Sequence, residues 1–99
     1  MYVVLLTYTA PISDVDLALP DHAEWLAKQY EHGHFLASGA QNPRVGGVII
    51  TRPMTRGKLD AILATDPFAV QHLARYEIVE FSPTRTAPEL RLVNEALSH

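Results

Sequence analysis

The spacing of apolar positions changes along the chain, and each change marks an element. Tyr2 to Tyr8 is an apolar run rich in β-branched and aromatic residues, which predicts a strand. Thr9 to Asp16 predicts a loop, punctuated by Pro11 and Ser13-Asp14. From there Leu19, Ala23, Leu26, Ala27 and Tyr30 fall on one face of a 3.6-residue period and predict a helix. Pro20 suits its first turn, and Gly33 suits a left-handed stop just beyond its end. Phe35 to Ala40 predicts a second strand, Gln41 to Arg44 a turn, and Val45 to Thr51 a third strand. Thr55 is an N-cap for a helix that turns Leu59, Ile62 and Leu63 inward. Asp66-Pro67-Phe68 closes that segment and starts a short helical turn through His72. Tyr76 to Phe81 predicts the fourth strand, and Glu89 to Leu97 a terminal helix.

The element order is β-α-β-β-α-β, an α+β plan of the ferredoxin-like kind, with a four-stranded antiparallel sheet and helices on one face. Two helices cover one face of such a sheet. The strands are nevertheless apolar on both faces: Val4 and Leu6 alternate with Val3 and Leu5, and Val48 and Ile50 oppose Val45 and Ile49. A bare apolar sheet face marks an interface, so a homodimer packed through its open sheet faces is expected.

Composition narrows the function classes. Ninety-nine residues make one domain (1–99), with a core over 2–83 and a tail over 84–99 expected to dock on the core or on a partner subunit. A net charge of -3 with scattered Lys and Arg argues against nucleic acid. The chain has no cysteine, which removes disulfides, thiolate chemistry and Cys-based metal sites. The apolar start has no positive leader and does not read as a signal peptide. It also falls far short of the roughly 20 apolar residues of a membrane span. A cytoplasmic protein without membrane contact is the expectation.

His22 and Asp66 are the candidate chemistry. An imidazole titrates near neutrality, and a buried carboxylate beside it would fix its tautomer. Read alone, His22 is first of all a boundary histidine donating to a backbone carbonyl, and Asp66 before Pro67 is first of all an N-cap. Candidate substrate contacts are Tyr8 at the end of the first strand, Ser38 and Gly39 on the second, and Arg44 in the turn. Gly39 either lets a ligand approach or marks a bulge. His32-Gly33-His34 straddles a helix end, so its rings need not converge, and no metal site is expected. Gly46-Gly47 lacks the Lys and Ser/Thr of a phosphate loop.

These stretches together resemble the YCII-related (YciI-like) family of the dimeric α/β-barrel superfamily. The resemblance rests on Tyr8-Thr9-Ala10-Pro11, His22-Ala23-Glu24-Trp25-Leu26, Gly33 to Gly39, Gly46-Gly47-Val48, Asp66-Pro67-Phe68 and Ala74 to Phe81. It implies a ferredoxin-like dimer, a pocket between sheet and helices, and a His-Asp pair at His22 and Asp66. Ala40 stands where members of the family often have proline. The function this implies is a small cofactor-free enzyme moving a proton, by lyase or isomerase chemistry, on a small cyclic or carboxylated molecule. The alternative is a non-catalytic dimeric ligand-binding or accessory module, and a haem protein is a weaker third reading.

Overall fold

The structure is a computed structural model that describes residues 1–97. Its strands are β1 (Tyr2–Tyr8), β2 (Phe35–Ala40), β3 (Gly46–Thr51) and β4 (Ala74–Glu80). Its helices are α1 (Ile12–Glu31), α2 (Arg56–Leu63) and α3 (Pro67–Val70), followed by a 3₁₀ helix over Pro88–Val93. The sheet order is β2-β3-β1-β4, and every neighbouring pair is antiparallel. This is the expected ferredoxin-like α+β plan.

Strand register sorts side chains between the faces. Tyr2, Val4 and Leu6 alternate into the core with Ile49 of β3 and join Leu59, Leu63 and Phe68 from the helical layer. Val3 and Leu5 lie on the other face, in register with Ile50 and Val48. Val79, opposite Val3, extends that face onto β4 and is 52% exposed. Among the described residues, α1, α2 and α3 pack on the core face instead, so the two-faced apolar pattern of the strands has a structural counterpart.

The expected helix limits were wrong at the front. α1 begins at Ile12, inside the expected loop. The Pro11 carbonyl accepts from the Asp14 and Val15 N–H groups and opens the helix. Ser13 and Asp14, read as loop punctuation, are also ordinary first-turn residues, and Asp14 complements the positive end of the helix dipole. Pro20 therefore lies inside the helix rather than in its first turn. It forfeits one intrahelical hydrogen bond there. The buried stripe is Val15, Ala18, His22, Trp25 and Gln29. The expected stripe is rotated away from it, leaving Leu19 38% and Tyr30 39% exposed. The true stripe carries a histidine and a glutamine, so a search for apolar positions alone misses it.

Elsewhere the bounds shift by one or two residues, with β3 starting at Gly46, α3 ending at Val70 and β4 running Ala74–Glu80, while two helix-end signals hold. Gly33 adopts φ +75° beyond the end of α1. Thr55 caps α2 by accepting from the Lys58 N–H. The tail differs from its expected helix: Val93 is buried, whereas Leu92 is 87% and Leu97 59% exposed. The last two positions of the 84–99 tail lie outside the described residues. Among the described residues, no helix is long and apolar enough to cross a membrane.

Candidate active site

His22 stands in the middle of α1, not near its start, and points into the layer between α1 and α3. Asp66 is the N-cap of α3: its Oδ1 accepts from the Phe68 N–H at 3.0 Å, and Pro67 fills the first helical position, where no N–H is needed. The same oxygen lies 2.7 Å from His22 Nδ1. Asp66 is wholly buried and His22 is 9% exposed. The imidazole is sandwiched in the apolar layer. It stacks on Phe68 with ring centroids 3.9 Å apart and planes 6° from parallel, and Trp25 lies 5.7 Å away on the same helix.

Sequence reasoning missed one residue of the site. Tyr76 on β4 donates its hydroxyl to Asp66 Oδ2 at 2.5 Å. Its register partner is Leu6, a core residue, so strand alternation places its ring on the helical side of the sheet. That alternation was legible in the sequence; its partner was not. Burial, together with the bond to Asp66 and the carboxylate's charge, pushes the Tyr76 phenol well above the ordinary tyrosine range. It therefore stays protonated and remains a donor.

The three donors to Asp66 determine where the imidazole proton sits. Oδ1 accepts from the Phe68 amide and Oδ2 accepts from Tyr76, as a carboxylate does. The bond to His22 is completed by an Nδ1–H donor. The hydrogen-bond network thus assigns the proton to Nδ1 and leaves the lone pair on Nε2. A positive charge arriving on the ring would sit beside a buried anion.

The proposed substrate contacts divide into two groups. Tyr8 meets Phe68 edge-on at 5.9 Å, and the Arg44 guanidinium lies 5.9 Å from the Tyr8 ring. Phe68 therefore links these two residues to the pair. Arg44 is bonded to Asp16 of α1 at 2.6 Å, and that bond raises its already high pKa. Ser38 and Gly39 lie apart. They sit on edge strand β2, whereas Tyr76 sits on the opposite edge strand β4. At ~4.8 Å per strand spacing, the two edges are roughly 14 Å apart. The Ser38 hydroxyl is 2.7 Å from that of Tyr30. Gly39 is in register with Val48 on the open face, and the bulge of β2 falls between Phe35 and Ala37 instead.

Trp25, Thr65 and Pro67, next to the pair, line a surface hollow of about 310 Å³ with Asp21, Glu24 and Lys28. Trp25 is anchored there by its Nε1–H, which donates to Thr65 Oγ1 at 2.9 Å. A larger hollow of about 500 Å³, between Pro53 and the tail residues Leu92 to Glu95, lies away from the pair. The His32 and His34 rings are 5.7 Å apart, and His34 Nδ1 lies 2.8 Å from Gln29 Oε1. Among the described residues, no three His, Asp or Glu side chains are grouped as a metal site.

Comparison with known proteins supports the architecture. No curated protein matches the chain. Among solved structures it is similar to the 5-chloro-2-hydroxyhydroquinone dehydrochlorinase of Burkholderia phenoliruptrix AC1100 in complex with 2,5-dihydroxybenzoquinone. The TM-score is 0.63 at 13% identity, covering 84% of this chain and 95% of that one. At that identity the likeness establishes the fold. The YCII-related domain model matches residues 1–82, which is most of the chain, and the protein belongs to the YCII-related family.

Proposed function

We propose that this protein is a small enzyme in which His22 and Asp66 act as an acid/base pair, without a cofactor, on a small oxygenated or carboxylated ring compound. The observation that carries the proposal is the buried contact between His22 Nδ1 and Asp66 Oδ1, which on the Nδ1–H tautomer would leave Nε2 as the base.

Nε2 would take a proton from a C–H or O–H of the substrate. The electron pair of that bond moves into the ring or onto an oxygen. A leaving group then departs with its own electron pair in an elimination, or the proton returns at another atom in an isomerisation. Asp66 stabilises the imidazolium in the interval, and His22 releases its proton afterwards. Arg44, above the Tyr8 ring, would meet the developing oxyanion or a carboxylate. The structural neighbour is named for loss of chloride from a hydroxylated ring and holds a dihydroxyquinone. That supports ring substrates with acidic oxygens for this chain.

The burial of His22 favours a second reading, a non-catalytic ligand-binding module, because only a small part of the ring reaches solvent. The two readings part on one variant. On a substrate found by screening halogenated and unhalogenated dihydroxyphenols and their carboxylates, His22→Ala should lose about 10²–10⁴-fold in kcat. An alanine variant as active as the wild type would remove His22 from the chemistry.

The proposal includes a homodimer. Val3, Leu5, Val48 and Ile50 form an apolar strip on the face without helices, and Val79 continues it. A second copy packed on that strip would cover it. Sedimentation velocity across a wide concentration range should show a dimer, and Leu5→Lys should shift it towards monomer. A wild-type monomer at every concentration would contradict the assembly.

A further inference from the structure

We propose that Tyr76 is a positioning residue: its hydroxyl holds the Asp66 carboxylate charged and oriented, so that the His22 proton stays on Nδ1 and Nε2 stays free. The inference rests on reading His22 as the base and adds a third member to the pair.

Geometry separates this role from simple packing. Asp66 has no exposed surface, so protein donors must take the place of water around its charge. Two of those donors, His22 Nδ1–H and Phe68 N–H, converge on Oδ1. Tyr76 serves Oδ2, from β4, an element that supplies neither of the other two. The carboxylate is therefore held from both ends, by the helical layer on one side and the sheet on the other. Turning it about its last side-chain bond would break the Tyr76 bond and the His22 bond together. Phenylalanine would fill the same volume, so the hydroxyl is there for the bond it makes.

Removing the hydroxyl leaves Oδ2 buried without that donor. The carboxyl can relieve this by taking up a proton and donating it from Oδ1 to His22 Nδ1. The imidazole proton then sits on Nε2, and the base is lost. Tyr76 thus biases which ring nitrogen is free without touching the substrate itself.

The test is ¹⁵N NMR of His22 with ¹³C NMR of the Asp66 carboxyl, in the wild-type protein and in Tyr76→Phe. The wild type should show the Nδ1–H tautomer and an ionised carboxylate. Tyr76→Phe should lower the Nδ1–H to Nε2–H ratio by about tenfold, the effect of one unsatisfied buried acceptor. A tautomer ratio and carboxyl signal unchanged in folded Tyr76→Phe would overturn the proposal and leave Tyr76 a packing residue. If that variant does not fold, 3-fluorotyrosine incorporated into the wild-type chain supplies a stronger donor to the same oxygen. It should move the ratio the other way, and no movement would overturn the proposal equally. Neither spectrum needs a substrate, so a failure here is distinct from an active His22→Ala.

Discussion

Asp66→Asn is expected to leave the protein folded and to lower kcat by about 10²–10⁴-fold, close to the loss from removing His22. An amide is nearly the shape of a carboxylate. Its oxygen can take the Oδ1 position and accept from the Phe68 amide and His22 Nδ1, as Asp66 does now. Its NH₂ then faces the Tyr76 hydroxyl, which can turn and accept, because a phenol does both. Little in the packing changes. What disappears is the negative charge, and with it the stabilisation of the imidazolium that forms as His22 takes a proton. Urea unfolding should place Asp66→Asn within about 1–2 kcal/mol of the wild type, the scale of one altered hydrogen bond. Wild-type kcat in this variant would mean that the charge has no part in turnover.

Gly46→Ala is expected to cost about 3 kcal/mol or more of folding stability. Gly46 opens β3 opposite Thr7, and a Cβ built there would lie 1.7 Å from the Leu6 carbonyl oxygen and 3.0 Å from Thr7 Cα. Both are backbone atoms of β1, the strand between β3 and β4, so no side chain can swing aside. The β1–β3 ladder would have to spread. A domain of this size holds only ~5–15 kcal/mol in all, so the loss is a large fraction of the total. Gly57→Ala is the control. It lies in α2 with nothing within 4 Å of the added atom, and alanine there should stabilise by up to about 1 kcal/mol. Urea unfolding of both variants decides the point. A Gly46→Ala protein as stable as the wild type would mean that the strands are not as close as described.

Particular residues explain how much of this was legible in the sequence. The strands announced themselves through β-branched runs and turn residues, and Thr55, Asp66 and Gly33 marked helix ends by chemistry that needs no tertiary context. The front of α1 was misread because Pro11, Ser13 and Asp14 serve equally in a loop and in a first helical turn. Its buried face was misread because His22 and Gln29 occupy it, and neither is apolar. The capping role of Asp66 was readable from Asp66-Pro67 alone. Its partnership with His22, 44 residues away, came from family resemblance, since helix docking and not local sequence brings the two together. Strand alternation put Tyr76 on the helical side without naming its partner. Tyr8 and Arg44 were placed near the pair, linked to it through Phe68. Ser38 and Gly39 were not, because β3 and β1 lie between their strand and β4.

The central claim is that Asp66 holds the proton of His22 on the buried side of the ring and leaves a base on the other. A ¹⁵N spectrum of His22 in the wild-type protein, taken on the neutral imidazole, measures this directly. The expected result is a protonated Nδ1 and an unprotonated Nε2. A proton found on Nε2, with Nδ1 bare towards Asp66, would contradict it.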